Sequence, residues 1–497
     1  MNAATPGIPA SRVAGSGDAH PADTPASSPP SGPPNGTLSA ETTPADSTLA
    51  EPAGSVRERR TAEDSAAEGS TNGAAPPTEP PSGGTAPGEP GNTPDRAASY
   101  RDVFSVRAYR HLFAASCLSY LGDQLTKIAL AVLVFNRTNS PVLAAAAYAM
   151  SFVPWVIGGP LLSSYADLLP RRQVMVACDI ARFVLVALLA VPGMPTVALI
   201  VILFVANLFA PPFGSSRAAM MPDLMEGDRY VVANGIDGLV RQGTQVAGFL
   251  IGGASVGLLR PQGALLVDAC TFLLSALLIL RGVPDVQAVT ERTARFSLLR
   301  DTRGGVRTVF GDPVLRAYVA LFWAASAFTY AYEGIAVPYA RELHGGAGAA
   351  GVILASGPLG LAVGSFVLTR LMRPSLRMRL LMPFAMLSVL SLIPALFVRS
   401  LPGVAVLLFL AGAGCAFALP LNSLFVRAVP TEYRGRAFGV AQSGVQALQG
   451  LAMLGAGAAA LAFSPGTVVG WSGILGVLVV GLLAWTLWPR DDFHRGR

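Results

Sequence analysis

The sequence has few charged residues. Only 13% of its 497 residues are Asp, Glu, Lys or Arg, whereas 52% are hydrophobic. A soluble domain averages about a quarter charged residues, so this composition favours lipid as the solvent. There is one lysine, Lys127, against 35 arginines. Because the arginines stand in short loops between apolar runs and form no continuous basic stripe, we expect no nucleic-acid partner.

Cysteine and histidine are also scarce, with four of each in the chain. The cysteines all stand inside apolar runs, at Cys117, Cys178, Cys270 and Cys415. Their spacing fits neither a metal site nor a disulfide framework, so we interpret them as small buried packing residues. The histidines are scattered, and we find no nucleophile beside a base and no phosphate-binding loop. The sequence therefore predicts no enzyme, no cofactor and no metal site.

The beginning of the chain lacks the residues that build a core. Residues 1–99 contain no Phe, Tyr or Trp and only three Leu or Ile, but they hold 17 of the 39 prolines. Such a segment cannot bury enough apolar surface to offset the entropy lost on ordering. No apolar stretch follows a basic start, so it does not read as a signal peptide. We predict a disordered cytoplasmic tail over residues 1–100.

From residue 101 onward the chain is a nearly continuous series of apolar runs. Most are about 20–28 residues long, enough to cross about 30 Å of hydrocarbon with some tilt. We predict an all-α membrane protein with twelve transmembrane helices, called the first to the twelfth helix below. The predicted spans are 110–136, 141–166, 173–193, 196–216, 230–258, 263–281, 315–340, 348–371, 378–397, 402–426, 436–463 and 467–488.

Arginine is unevenly divided between the loops on the two sides of these spans. From residue 101 onward, one set of loops, together with the segments before the first span and after the last, carries 24 arginines and is called the Arg-rich side here. The other set, the Arg-poor side, carries four: Arg137, Arg260, Arg341 and Arg399. Cytoplasmic loops of membrane proteins are enriched in Lys and Arg. We therefore predict a multi-pass protein of the bacterial inner membrane with both termini in the cytoplasm.

The sequence repeats itself at an offset of 208–209 residues. RAYRHLF at 107–113 matches RAYVALF at 316–322, and Pro212, Ser215 and Pro222 match Pro420, Ser423 and Pro430. Both sets lie at equivalent places in two groups of six spans, an architecture typical of secondary transporters. We predict six-helix halves over 101–281 and 314–488, a cytoplasmic linker over 282–313 and a cytoplasmic tail over 489–497.

The linker between the halves has an apolar stripe. Phe296, Leu299, Val306 and Phe310 fall on one helical face, surrounded by arginines. This pattern predicts an amphipathic helix lying on an anionic inner leaflet. A solvated basic linker is the alternative.

The loop between the second and third helices carries the motif SSYADLLPRRQ at 163–173. It resembles the signature of the major facilitator superfamily, in which a Gly is followed by three residues, Asp, Arg, any residue, Gly, Arg and Arg or Lys. Asp167, Arg171 and Arg172 match this signature, whereas Ser163, Leu168 and Pro170 depart from it. The resemblance implies a conformational latch in which these charges pair with neighbouring helix ends.

Three further segments resemble one branch of that superfamily in particular. LGDQL at 121–125, LLVDACTFLLSALL at 265–278 and VPTEYRGRAFG at 429–439 resemble a bacterial branch of that superfamily, which includes enterobactin exporters and macrolide efflux pumps. The fifth helix also has a glycine face that resembles the motif of the family's antiporters, with Gly253 where those antiporters have Pro. Close helix packing by small residues is the alternative explanation for this face. The face comprises Gly248, Gly252, Gly253 and Gly257.

Ionisable residues inside spans are energetically costly and mark candidate functional sites. Three acid–base pairs are spaced to neutralise each other along one helix. They are Asp123 with Lys127, Asp179 with Arg182, and Asp237 with Arg241.

The depth of these residues separates functional candidates from structural ones. Asp123 lies near the middle of the first helix, where transporter sites cluster, and Glu333 lies at nearly the equivalent place in the seventh helix. Arg241 in mid-span is suited to an anionic substrate or to balancing a carboxylate on another helix. Asp268 near the end of its span is suited to a structural contact. The candidates for proton coupling or substrate contact are Asp123, Glu333, Lys127, Arg241 and Asp268.

Together these features predict a secondary active transporter. We expect a monomer in the lipid bilayer that exports a small amphipathic molecule, such as a drug, siderophore or secondary metabolite, in exchange for protons by alternating access. A proton-coupled importer and a membrane sensor or scaffold without transport remain alternatives. The candidate cavity-lining residues are Tyr120, Gln124, Asn207, Trp323, Tyr330 and Asn422.

Overall fold

The computed structural model describes residues 99–155, 169–285 and 298–486. Nearly all of the predicted N-terminal tail and the whole C-terminal tail lie outside these residues. Within the described ranges the regular secondary structure is entirely helical. The first described element is the short helix Tyr100–Ser105, which begins with a capping box in which Ser99 and Asp102 bond each other's backbone. The described helices thus begin where aromatic residues first appear in the chain.

The N-terminal half contains the first six predicted helices. The second helix is described only as far as Trp155, and the fifth and sixth form one continuous run. That run turns sharply at Arg260, whose φ of 60° lies in the left-handed region, directly before Pro261. The bounds are Arg107–Thr138, Pro141–Trp155, Arg171–Leu189, Thr196–Leu224 and Asp228–Gly282.

The C-terminal half repeats this order. Its helices are Pro313–Glu342, Ala347–Leu371, Leu381–Leu396, Leu401–Ala428, Arg434–Ala459 and Pro465–Thr486. The first and seventh helices are both followed by a left-handed residue, Asn139 with φ of 48° and His344 with φ of 58°. With the run of the fifth and sixth helices counted as one, seven of the described helices are long and apolar enough to cross a membrane. The prediction of an all-α membrane protein with two six-helix halves is confirmed.

The seventh and tenth helices both change winding in mid-course. The seventh becomes a 3₁₀-helix over Ala331–Ile335, and the tenth does so over Cys415–Phe417. A stretch of 3₁₀-helix inside a longer helix often marks a functional hinge. Both stretches are buried and belong to the C-terminal half, and Glu333 stands in the first of them.

The buried apolar residues are joined differently at the two ends of the molecule. Toward the Arg-poor side one cluster includes residues of both halves, such as Val134, Ala144, Tyr339 and Ala350. Toward the Arg-rich side each half has its own separate cluster. The halves are therefore packed together near the Arg-poor side and parted near the Arg-rich side.

Glycine permits the close approach of the halves near the Arg-poor side. A Cβ atom placed on Gly253 of the fifth helix would lie only 2.9 Å from Cα of Gly351 of the eighth. A Cβ atom on Gly457 of the eleventh helix would similarly meet Ala145 of the second. Small residues allow helix backbones to touch in lipid, where packing supplies much of the association energy.

The linker forms the helix Leu298–Gly311. Val309 is fully buried in the core of the C-terminal half, and a Cβ atom on Gly305 would lie 2.8 Å from the carbonyl oxygen of Arg436. Val306 and Phe310 are exposed, whereas Phe296 of the predicted stripe lies outside the described residues. One side of the linker helix therefore packs on the eleventh helix, and its contact with lipid stays a prediction.

Candidate functional site

A cavity of about 460 Å³ lies between the two halves. Seven helices line it: the first, second and fifth from the N-terminal half, and the seventh, eighth, tenth and eleventh from the C-terminal half. The predicted residues Tyr120, Gln124 and Tyr330 contribute to its wall. The charged lining residues are Asp123, Lys127, Arg241 and Glu333, all of them sequence candidates.

Glu333 lies where the two halves meet. Glu333 is only 6% exposed, and its carboxylate interacts with the Tyr148 hydroxyl of the second helix. Lys127 of the first helix attracts it electrostatically from the opposite half. The Lys127 ammonium group also donates to the Gln124 side chain at 3.2 Å and lies 5.7 Å from the ring centre of Phe152. Glu333 is thus a carboxylate of one half held by two residues of the other.

Asp123 does not pair with Lys127 as the sequence spacing suggested. It forms an ion pair with Arg182 of the third helix, which is buried. Arg182 also donates to the Ser119 hydroxyl at 3.1 Å, and its guanidinium stacks 4.2 Å from the ring centre of Phe272. The predicted pairing of Asp179 with Arg182 is likewise wrong, because Asp179 instead accepts a 2.5 Å hydrogen bond from Ser275.

Asp268 is fully buried between the first and sixth helices and lies away from the cavity wall. It accepts hydrogen bonds from Thr126 and, at 3.2 Å, from Thr271, and Arg182 attracts it electrostatically. A Cβ atom on Gly122 would collide with its carboxylate. The structural reading of Asp268 fits this environment better than substrate contact does.

Arg241 projects into the cavity from the fifth helix, with a side chain that is 58% exposed. Its guanidinium lies 5.1 Å from the ring centre of Tyr120 and donates to the Tyr120 hydroxyl at 3.3 Å. Asp237 lies 3.8 Å away, as the sequence spacing suggested, but the same carboxylate also forms an ion pair with the buried Arg217. Two guanidinium groups therefore share one carboxylate.

Three predicted lining residues stand elsewhere. Asn207 is buried and donates to its own helix, at Leu203 O. The indole of Trp323 donates to Ala441 O at 2.9 Å, and the neighbouring Phe322 lines the cavity in its place. Asn422 lines a smaller cleft of about 310 Å³ inside the C-terminal half. Adjacent residues on a helix point about 100° apart, and the sequence alone does not set that rotation.

Glutamines other than Gln124 are the lining residues that the sequence reasoning missed. Six glutamines line the cavity: the predicted Gln124, and Gln242, Gln245, Gln442, Gln446 and Gln449. Five of them recur every three or four residues along the fifth and eleventh helices. That spacing places polar groups on one face of an otherwise apolar helix. It was the signal in the sequence from which these lining residues could have been predicted.

The latch candidates are described only in part, because Asp167 lies outside the described residues. Arg171 forms an ion pair with Asp223 and donates to Ala219 O at 2.5 Å, both at the end of the fourth helix. Arg172 donates to Leu280 O at the end of the sixth helix. These contacts join helix ends within one half, and a latching role stays a prediction.

The glycine face of the fifth helix is divided between neighbours. Cβ atoms on Gly248 and Gly252 would meet Gln124 and Ile128 of the first helix, whereas Gly253 faces the eighth. At Gly257 a Cβ atom would have no neighbour within 4 Å. Close packing accounts for three of the four positions.

The cysteines are all free thiols, as expected from their spacing. Cys178 and Cys415 are buried, and Cys117 is partly so. Cys270 is exposed on the outer face of the helices, so the prediction of a buried packing residue was wrong there. Cys415 also lines the cavity.

Comparison with known proteins identifies what the chain is similar to. Residues 112–453 match the family model described as "Major Facilitator Superfamily". The chain is 32% identical over 144 residues to an uncharacterised MFS-type transporter of Mycobacterium tuberculosis, an alignment that spans 32% of that relative's length. It is 22% identical over 273 residues to an MFS-type transporter of Bacillus subtilis, covering 53% of this chain and 67% of the relative.

Solved structures match over more of the chain. A bacterial homologue of the human lysosomal transporter Spinster, in an inward-facing and unoccupied conformation, superposes with a TM-score of 0.59 at 14% identity. That match covers 76% of this chain and 96% of the other. A peptide transporter POT in complex with sulfate gives a TM-score of 0.58 at 12% identity, covering 76% and 94%. At these identities the likeness shows the fold alone.

Proposed function

Because the chain belongs to the Major Facilitator Superfamily, we propose that this multi-pass membrane transporter is a proton-coupled exporter of a small amphipathic molecule. The bacterial relatives and the arginine distribution support a place in the inner membrane, with the Arg-rich side and both termini in the cytoplasm. The substrate would enter the cavity from the Arg-rich side, where the halves are parted.

The position of Glu333 is the observation that supports coupling of export to protons. Its carboxylate belongs to the C-terminal half, whereas Lys127 and Tyr148, which hold it, belong to the N-terminal half. A proton on Glu333 removes the attraction between this carboxylate and Lys127. Proton binding is thereby linked to the contact that joins the halves, which is the link that exchange by alternating access requires.

A pH gradient in everted membrane vesicles tests this proposal. The vesicles are acidified inside with ATP, and a panel of amphipathic anions, cations and neutral compounds is added while a pH-sensitive dye reports the gradient. We expect at least one compound to dissipate the gradient with the wild-type protein but not with Glu333→Gln, because an amide takes up no proton. Glu342→Gln is the matched control, since Glu342 lies on the same helix and binds Arg399 outside the cavity.

Two outcomes count against the proposal. The first is a compound that moves protons equally well with the wild-type and Glu333→Gln proteins. The second is a panel in which the wild-type protein moves no protons although it transports one of the compounds.

A further inference from the structure

One end of the cavity carries a local excess of positive charge. Deeper in the bundle, Arg182 pairs with Asp123 and also attracts Asp268, and Glu333 and Lys127 attract each other. Near the Arg-rich end of the cavity, Arg217 and Arg241 share the single carboxylate of Asp237. Among the described residues at this end, the Arg241 guanidinium is therefore a local excess positive charge, and more than half of its side chain is exposed to the cavity.

The polar residues that line the cavity together with Arg241 are suited to binding an oxyanion. Gln242 and Gln245 of the same helix and Gln442 and Gln446 of the eleventh helix line the same cavity, and their amide groups can donate hydrogen bonds. A planar guanidinium binds a carboxylate through two parallel hydrogen bonds, and such charge-assisted bonds are about twice as strong as neutral ones. Tyr120 holds the Arg241 guanidinium in place by stacking and by a hydrogen bond.

An apolar cleft adjoins the cavity. It has a volume of about 310 Å³ and shares Phe322, Ala418 and Gln442 with the main cavity. Its remaining wall is mostly aromatic and aliphatic, with Phe425 and Phe438 among its residues. A ligand whose acid group reaches Arg241 therefore has an adjoining apolar space for an aryl or alkyl group.

We infer that the transported molecule is an amphipathic organic anion, whose acid group binds Arg241 and whose apolar part occupies the cleft beside Phe322. The claim that this anion is transported rests on the proposed export function. The claim that it binds at Arg241 does not depend on transport. Exchange of such an anion outward for a proton inward moves positive charge toward the negative side of the membrane. The membrane potential would therefore drive the exchange.

Binding of two probes that share one fluorophore tests the inference. Dansylglycine carries a carboxylate and dansylcadaverine carries an amine, so the pair separates the sign of charge from the apolar group. Full-length protein in nanodiscs of zwitterionic lipid is titrated with each probe, and fluorescence anisotropy is measured. We expect dansylglycine to bind at least about tenfold more tightly than dansylcadaverine, since the loss or reversal of one charge-assisted contact is worth roughly that factor.

Variants locate the two parts of the site. Arg241→Gln should weaken dansylglycine binding about tenfold, Arg241→Lys should restore part of it, and neither should weaken the binding of dansylcadaverine. Arg260→Gln, on the Arg-poor side and outside the cavity, is the matched control and should have no effect. Ala441→Phe, which fills the cleft, should weaken dansylglycine binding several-fold.

The binding and flux measurements distinguish failure of the anion site from failure of the export function. Equal or tighter binding of dansylcadaverine, or unchanged dansylglycine binding in Arg241→Gln, overturns the inference. Charge-selective, Arg241-dependent binding without proton-driven flux of dansylglycine in vesicles upholds the anion site and counts against proton-coupled export. Proton-driven flux of a cation that does not depend on Arg241 upholds proton-coupled export and counts against the anion site.

Discussion

Arg182 holds together the charged groups inside the N-terminal half. It is buried, it pairs with Asp123 and it attracts Asp268. The sequence identified these ionisable residues as unusual, but it assigned the wrong partners. Spacing along a helix shows which residues share a face, whereas the neighbouring helix decides which charges meet. For Asp237 the predicted pair with Arg241 does form, but the spacing did not show its second ion-pair partner, Arg217, on another helix.

Removal of the Arg182 charge should destabilise the protein. Arg182→Gln leaves the Asp123 and Asp268 carboxylates without their cation, and breaking a buried ion pair costs about 3–5 kcal/mol. We expect a clear drop in the thermal unfolding temperature of the purified protein in detergent. Asp123→Asn combined with Arg182→Gln should recover part of the loss.

Arg241→Gln serves as the comparison, because Arg241 is exposed and Asp237 keeps its pair with Arg217. An exposed ion pair contributes only about 0–1 kcal/mol, so the unfolding temperature should hardly change. Equal effects of Arg182→Gln and Arg241→Gln would contradict the role given to Arg182.

The surroundings of the fifth helix change along its length. It faces the first helix at Gly248 and Gly252, the eighth at Gly253, and open space at Gly257. The glycine spacing predicted close packing, but it did not show which partner each glycine meets. The 3₁₀ stretches at Ala331–Ile335 and Cys415–Phe417 carry no comparable signal in the sequence. They depend on packing against other helices.

A bulkier residue at Gly253 should force the halves apart. In Gly253→Val the added methyl groups meet the backbone of Ala347 and Gly351, and overpacking of this kind costs about 1–3 kcal/mol. We expect a lower unfolding temperature than for the wild-type protein. Gly257→Val is the matched control, because a side chain there meets nothing within 4 Å and the gain in helix propensity is the same. A larger loss in Gly257→Val than in Gly253→Val would show that this account of the packing is wrong.

At the scale of the whole molecule, the two halves and their helix order could be predicted from the internal repeat and the apolar runs. The repeated RAYRHLF and RAYVALF segments begin equivalent helices, and Tyr109 and Tyr318 are both buried there. Which end of the bundle is closed could not be predicted, because it depends on contacts between halves far apart in sequence. The contact between Asn136 and Arg341 is one of them.

Arg341 connects the halves at the Arg-poor side. It donates to Asn136 Oδ1 at 2.8 Å and to Asn139 Oδ1 at 3.4 Å, and its guanidinium lies 5.0 Å from the ring centre of Phe135. These three residues end the first helix, whereas Arg341 ends the seventh. Loss of such contacts costs about 1–1.5 kcal/mol, which corresponds to a population shift of about tenfold toward states open on the Arg-poor side.

Thiol labelling measures that shift. In a protein whose four cysteines are replaced, Gln245→Cys places one thiol in the cavity, and an impermeant maleimide is added to intact cells. With the orientation proposed above, Arg341→Gln should raise the labelling rate several-fold. Arg399→Gln should leave it unchanged, because Arg399 binds Glu342 within one half at the same side. Equal rates for the two variants would exclude Arg341 as a contact that closes this side, and an increase confined to everted vesicles would reverse the orientation.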